Sequence, residues 1–327
     1  MIDYHLLLSV FIGVAVLVFL ILKFKMQPFL GLLISSILVG ILAGVPPLEI
    51  MATVKQGMGS TLGFVAVVVG LGAMFGAILE HSGGAEALAQ YLLKAFGEKN
   101  ASWALMITGF FIAIPVFFDV AFIILIPLVY SLQRKTKKSM LLYAIPLLAG
   151  LAITHAFIPP TPGPVAVADI LNADLGWVIL VGFIVGVPTA IISGPIFGKF
   201  IASKIFIAAP KIIDEKAISN FPPISLILTI ISTPILLIVL NTLLNSSISS
   251  GLNWSKTTIA WIQMIGHPFS ALIIANLMAW YLLGIRRGVS KTILSKITSA
   301  SLAPAGIIIL LTGAGGVFKQ MLITTGT

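Results

Sequence analysis

The sequence contains no cysteine, and charged residues make up only 9% of its 327 positions. Without cysteine there is no disulfide bond, no catalytic thiolate and no cysteine-ligated metal. An ordinary soluble domain carries roughly 25% charged residues, so this shortage of charge argues against a water-soluble fold. Hydrophobic residues instead make up 59% of the chain, which requires the lipid bilayer as the partner of most of its surface. We therefore expect an all-α polytopic membrane protein.

Sequence motifs of common enzymes are also missing. The chain has no H-E-x-x-H, no G-x-S-x-G and no histidines paired at metal-binding spacing. We expect no enzyme activity, no cofactor and no metal. The 19 Lys and Arg residues outnumber the 10 acidic residues, but they form short clusters between apolar runs. This distribution is typical of cytoplasmic loops and predicts no nucleic-acid partner; a homo-oligomer is compatible with it.

Apolar runs of membrane-spanning length recur along the chain. They predict simple spans at 5–23, 28–45, 59–80, 176–200, 223–244, 258–284 and 301–322. Two other stretches do not fit a single straight helix. Residues 103–132 carry a proline and an acid in the middle of an apolar run, and residues 139–172 are too long for one span. We interpret the first as a re-entrant helical hairpin and the second as a broken helix.

The distribution of basic residues predicts the orientation. With the N-terminus periplasmic and 103–132 entering and leaving on one side, all 19 Lys and Arg residues fall inside except Lys55, Lys256 and Lys319. If 103–132 crossed the membrane once, every later basic cluster would move outside. The charge bias therefore favours the hairpin.

An internal repeat is the next pattern. Residues 70–83 align without gaps to residues 313–326, and Gly70, Gly72, Phe75, Leu79 and Gly83 match Gly313, Gly315, Phe318, Leu322 and Gly326. The two copies run in opposite directions in the orientation above, which predicts an inverted-repeat transporter whose second repeat is C-terminally incomplete. The expected divisions are N-terminal scaffold helices 1–58, first repeat 59–205, cytoplasmic linker 206–222, scaffold helices 223–300 and a truncated second repeat 301–327.

The tip of the expected hairpin is the first candidate site. It comprises residues 114–120, and Asp119 would lie near the bilayer midplane. An acid at that depth is costly unless it faces water or a partner, so Asp119 is a candidate for ion or substrate coupling. The alternative, which is compatible with that role, is that its carboxylate caps the returning helix.

The second candidate site is the break in the long helix. Four prolines and Gly163 fall within residues 159–164, which cannot stay helical. A short helix resumes at Val165, and the unpaired N–H groups at its start would cradle a carboxylate. The alternative is an external loop that is merely rich in proline. Thr154 and His155 precede the break; the histidine either exchanges protons or is a packed polar residue. Thr161 offers a hydroxyl to substrate, and Gly163 allows close approach to the backbone.

At these residues the sequence resembles the gluconate permease family of gluconate:proton symporters, within the ion-transporter superfamily. The matching stretches are Gly57–Gly63, Gly70–Gly76, Phe117–Val120, Thr154–Pro160, Pro162–Pro164, Asn172–Asp174, Leu302–Pro304 and Thr312–Phe318. By this resemblance Phe118, Asp119, Thr154, His155, Thr161, Gly163 and Pro164 fall in the family's hairpin-tip and broken-helix motifs.

The resemblance implies proton-driven uptake of gluconate or a related sugar acid across a bacterial inner membrane. It also implies two scaffold-plus-transport repeats and an elevator-type movement. Two positions depart from the pattern: many relatives have Glu in place of Asp119 and a second His in place of Thr161, which leaves substrate choice open. The alternatives are a permease of the same fold for another small anion or an amino acid, and a passive anion channel.

Overall fold

A computed structural model describes residues 4–210, 221–245 and 255–326, and all regular structure in those ranges is helical. The α-helices are α1 (Tyr4–Phe24), α2 (Pro28–Leu42), α3 (Pro47–His81), α4 (Gly84–Phe96), α5 (Ala101–Ile112), α6 (Phe118–Thr136), α7 (Leu141–Phe157), α8 (Pro162–Ile170), α9 (Leu175–Ile191), α10 (Phe197–Ala202), α11 (Ile224–Asn245), α12 (Lys256–Gly266), α13 (Pro268–Ala279) and α14 (Lys291–Thr325). A π-helical turn joins α9 to α10, and another follows α13.

Seven helical segments of the described residues are long and apolar enough to cross a membrane. They are Tyr4–Phe24, Pro47–His81, Leu141–Ile170, Leu175–Ala202, Ile224–Leu244, Pro268–Arg287 and Lys291–Thr325. The prediction of an all-α polytopic membrane protein is confirmed. Both α3 and α14 have 35 residues, longer than the predicted spans at 59–80 and 301–322, because polar residues extend each helix beyond its apolar segment.

The predicted single span at 258–284 is wrong, because the structure divides it at His267. Helix α12 ends at Gly266, and α13 begins at Pro268, whose ring occupies the first helical position. His267 is extended, at φ −61° and ψ 139°, and its Nδ1 accepts a hydrogen bond from the Phe269 N–H at 3.2 Å. Proline disfavours a helical residue before it and needs no N–H at a helix start, which explains the division.

Helix α4 was not predicted from the sequence. It begins after Gly83, which has a φ of +74°, and carries Glu86 in its first turn. Burial raises the pKa of the Glu86 carboxyl, its own backbone N–H opposes that rise, and the charge of Glu80 adds to it. One carboxylate oxygen of Glu86 is buried and has no hydrogen-bond partner among the described residues.

The chain divides into two compact units. The first comprises Met1–Val69, Asp169–Asn172 and Ala303–Thr327. Its helices approach closely through small residues: a Cβ on Gly57 of α3 would lie 2.7 Å from the Val317 Cα of α14. Val39, Ile50 and Met321 form its apolar core.

The second unit comprises Gly70–Ala168 and Ala173–Leu302. Helices α5 and α7 pack backbone to backbone, since a Cβ on Gly109 would lie 2.6 Å from the Leu147 carbonyl oxygen. Asp174 caps α9 by accepting from the Gly176 and Trp177 N–H groups, and it also accepts a 2.6 Å hydrogen bond from the Thr242 hydroxyl of α11. This side chain therefore fixes α9 to α11.

The predicted cytoplasmic linker 206–222 falls largely on residues 211–220, which lie outside the described residues. The re-entrant path of 103–132, the inverted repeat and the division into scaffold and transport segments stay predictions. What the structure adds is that residues 103–132 are not one continuous helix, because α5 ends at Ile112 and α6 begins at Phe118.

Candidate functional site

The first backbone break separates α5 from α6. Residues 112–116 are buried, and Pro115 has no N–H to continue the helix. The cap position of α6 is Phe117, which makes no side-chain capping hydrogen bond. Within the described residues, the N–H groups of Phe118, Asp119 and Val120 have no backbone acceptor. The start of α6 thus presents three donors and the positive end of a helix dipole.

Asp119 lies in the first turn of α6, one residue beyond its start, and is exposed, whereas Phe118 is half-buried. The alternative prediction, that Asp119 caps the helix, is wrong because Phe117 occupies the cap position. An acidic residue in the first turn still interacts favourably with the helix dipole. Its exposed carboxylate is available to an ion or to a neighbouring side chain.

The second break separates α7 from α8. Ile158 is extended, a cis peptide bond joins Pro159 to Pro160, and residues 158–162 are buried. Burial argues against the exposed proline-rich loop that was the alternative. The short helix begins at Pro162, three residues earlier than predicted, because proline is well suited to the first position of a helix.

The start of α8 leaves one free donor rather than several. Pro162 and Pro164 have no N–H, the Thr161 N–H donates to Ile158, and the Val165 N–H donates to Thr161. Only the Gly163 N–H in this turn has no acceptor among the described residues. Gly163 is exposed, and a Cβ added there would meet nothing within 4 Å. Pro164 is buried.

A buried hydrogen bond ties the two breaks together. The Thr154 hydroxyl, fully buried in α7, donates to the Phe110 carbonyl of α5 at 2.9 Å. The last four carbonyls of a helix have no partner within it. In α5 the other three accept from the N–H groups of residues 113, 114 and 116, so Thr154 completes the set. The Thr154 hydrogen bond therefore fixes the end of α7 relative to the end of α5.

Helix α3 packs against both breaks. A Cβ on Gly76 would clash with the Pro115 carbonyl and lie 3.3 Å from the Val116 Cα. One turn earlier, a Cβ on Gly72 would lie 3.9 Å from the Pro160 carbonyl oxygen. Ile114 and Ile158, one from each break, belong to the same buried apolar cluster. Two segments more than 40 residues apart in the sequence are thus brought to one place.

His155 faces this region. It is half-buried, and its Nδ1 is buried with no hydrogen-bond partner among the described residues. Asp119 is close enough for its charge to act on the His155 ring. Thr161 is buried, and its hydroxyl donates to the Ile158 carbonyl at 2.6 Å, so its oxygen remains as an acceptor. The described residues hold no group of three or more His, Cys, Asp or Glu side chains able to bind a metal.

The breaks together offer backbone donors, one carboxylate, one imidazole and an open glycine. Donors at helix starts bind anions without a fixed cation, and the acid and imidazole can carry a proton. This chemistry fits a carrier of small organic anions.

Comparison with known proteins decides the family. A model of the GntP permease family ("GntP family permease") matches residues 5–327. The low-affinity gluconate transporter of Escherichia coli is 40% identical over 316 residues, covering 96% of this chain and 70% of that protein. A gluconate permease of Pseudomonas aeruginosa is 38% identical, covering 99% of this chain and 72% of its own. An inner membrane permease of Escherichia coli is also 38% identical over 96% of this chain and 71% of its own.

The chain belongs to the GntP permease family. It is therefore a membrane permease and not an enzyme, as the sequence predicted, and the resemblance to gluconate permeases is confirmed.

Three residues of this GntP permease that support the site were not singled out from the sequence as functional. Gly72 and Gly76 appeared in the sequence only within the internal repeat and the family resemblance, whereas in the structure they pack against the two breaks. Asn276 of α13 donates through Nδ2 to the Leu71 carbonyl at 2.9 Å, beside Gly72. A lone amide in an apolar span was the only signal for Asn276.

Proposed function

We propose that this GntP permease imports gluconate or a related sugar acid by proton symport across the bacterial inner membrane, with its N-terminus in the periplasm. Family membership and the gluconate relatives support the substrate class. The relative described as an inner membrane permease supports the location. The observation that carries the proposal is the meeting of two helix starts with Asp119 and His155.

Substrate recognition follows from the donors at the breaks. A sugar acid presents one carboxylate and several hydroxyls. The α6 start offers three N–H groups and the α8 start offers that of Gly163, and such donors bind a carboxylate without a fixed cation. The Thr161 oxygen accepts from a substrate hydroxyl. Gly163 allows close approach because no atom lies where its Cβ would be.

Proton coupling rests on Asp119 and His155. Binding an anion beside the Asp119 carboxylate is unfavourable by like-charge repulsion, and a proton taken up by the pair removes that repulsion. The loaded carrier then has one charge fewer to move across the bilayer. Substrate and proton therefore bind together and are released together.

The test is uptake of labelled gluconate into proteoliposomes with the lumen alkaline. We expect accumulation above the external concentration, abolished by a protonophore. Asp119→Asn should abolish accumulation while the melting temperature falls only slightly, because the exposed side chain loses no more than its contact with the helix dipole, about 0.3–1 kcal/mol. Asp169→Asn, at the end of α8, is the matched control and should accumulate normally. Full pH-dependent accumulation by Asp119→Asn would remove Asp119 from coupling, and accumulation insensitive to the pH gradient would refute proton symport.

The same assay separates the alternatives. A passive anion channel equilibrates gluconate but never accumulates it. Competition by unlabelled sugar acids, other hydroxy acids and amino acids identifies the substrate class, since a permease for another anion would be inhibited by that anion at a lower concentration than by unlabelled gluconate.

A further inference from the structure

A cavity of about 520 Å³ lies between the start of α11 and the residues that follow α13. Its walls include the apolar side chains of Leu226 and Leu282, while Ser225, Thr229, Arg286 and Arg287 supply polar groups. All of these residues belong to the second unit. None of them takes part in the site at the two breaks.

The backbone after α13 places the two arginines at this cavity. The helix widens into a π-helical turn over Trp280–Gly284 and then tightens into a 3₁₀ turn over Ile285–Arg287. Gly288 ends the segment at a φ of +84°, where its N–H donates to Ile285 at 3.0 Å and the Val289 N–H donates to Gly284 at 3.2 Å. π-Helical turns within helices occur frequently at functional sites.

Arginines at a helix end often serve only to offset the negative end of the helix dipole. Here the backbone already supplies the donors for two of the terminal carbonyls through Gly288 and Val289. The guanidinium groups therefore border the cavity without being needed to end the helix. Arg287 already interacts within the chain, so Arg286, which is exposed, is the group most available to a ligand.

The cavity lies at a boundary between membrane and water. One membrane-spanning segment starts at Ile224 and another ends at Arg287, and α11 and α13 pack together, so both ends face the same side. Lys291 and Lys296 follow directly. By the positive-inside bias this side is cytoplasmic, where anionic lipids attract basic residues.

We propose that this cavity binds the phosphate group of an anionic phospholipid. The planar Arg286 guanidinium matches two phosphate oxygens, and the Ser225 hydroxyl is placed to donate a further hydrogen bond. Leu226 and Leu282 contact the glycerol and first methylene groups. A free phosphate ester shares the charged part of this chemistry but not the apolar part, so the lipid satisfies the whole cavity.

The test is native mass spectrometry of the protein carrying resolved bound lipids, together with melting temperature in nanodiscs of phosphatidylglycerol or phosphatidylcholine. Arg286→Gln should weaken phosphatidylglycerol binding by about fivefold, since one basic residue near an anionic lipid contributes about that factor. Lys296→Gln is the matched control: it removes an exposed charge on the same side but outside the cavity, and its effect should be small.

A second arm separates the sources of phosphate. Inorganic phosphate added to phosphatidylcholine nanodiscs should not raise the melting temperature at millimolar concentration if the lipid is the ligand. Saturable stabilisation by inorganic phosphate that Arg286→Gln removes would keep the phosphate site but assign it to a soluble ester. Equal losses for Arg286→Gln and Lys296→Gln, or no loss for either, would overturn the proposal. Gluconate uptake is not the readout, so this result is independent of the proposed function.

Discussion

Gly76→Ala provides a direct test of the packing of α3 under the first break. The new Cβ would meet the Pro115 carbonyl well inside 3.0 Å, and the Pro115 carbonyl carbon and Val116 Cα at 3.1 and 3.3 Å. These are backbone atoms, so no side-chain rotation relieves the clash. The break must shift by more than about one ångström to bring the Pro115 carbonyl oxygen to ordinary van der Waals contact.

The magnitude is the difference between two opposing effects. Overpacking of a well-packed interior typically costs about 1–3 kcal/mol. Alanine favours the helix over glycine by about 1 kcal/mol. Because the contacts are rigid, we place the cost of overpacking near the upper end of that range. We therefore expect the free energy of unfolding to fall by about 1–2 kcal/mol. Transport should be lost because the first break moves.

The assay is thermal unfolding in nanodiscs alongside gluconate uptake. Gly63→Ala in the same helix is the matched control, since a Cβ there meets nothing within 4 Å; it should be neutral or slightly stabilising. Equal stability of Gly76→Ala and Gly63→Ala, with transport retained by both, would refute the close packing of α3 against the break.

Three further predictions use other parts of the site and its surroundings. Gly163→Ala should leave the melting temperature unchanged, because its Cβ enters open space, but should raise the KM for gluconate at least severalfold; an unchanged KM contradicts close approach of substrate. Thr154→Val should cost about 1–3 kcal/mol by leaving a buried carbonyl unpaired, whereas Thr154→Ser retains the hydrogen bond and stability. Glu86→Gln tests the carboxyl whose pKa burial raises above 4.5: because the folded state favours its protonated form, wild-type stability should fall as pH rises from about 4.5, and the variant should lose part of this dependence. Glu49→Gln, at an exposed acid of α3, should keep the full pH dependence.

Membrane class and the positions of both breaks were predictable because their causes are local. Apolar runs identify spans by length alone, and a proline removes an N–H wherever it stands. The start of α8 was predicted three residues too late. A proline can end one helix or occupy the first position of the next, and the sequence alone does not distinguish these two roles. His267 and Pro268 divide a run that hydropathy treats as continuous.

Helix α4 was missed for a different reason. It has 13 residues, which is too few to span a membrane. Its Ala and Leu residues are interrupted every fourth position by a polar residue, at Glu86, Gln90 and Lys94. A search for long apolar runs therefore does not detect it. The pairing of Thr154 with Phe110 joins residues 44 positions apart. No pattern within either segment specifies its partner, and the same holds for Gly76 with Pro115.

The prolines at the start of α8 have a consequence for the specificity of the proposed substrate site. Neither proline has a backbone N–H. Replacing Pro162 or Pro164 by alanine would therefore add a backbone hydrogen-bond donor without adding a polar side chain. A substrate with a second acidic group, or with an acceptor in place of a hydroxyl, would gain from such a change. If the α8 start binds the substrate as proposed, the choice of anion depends on which residues there lack an N–H, and a new specificity can arise while Thr154, His155 and Thr161 stay unchanged.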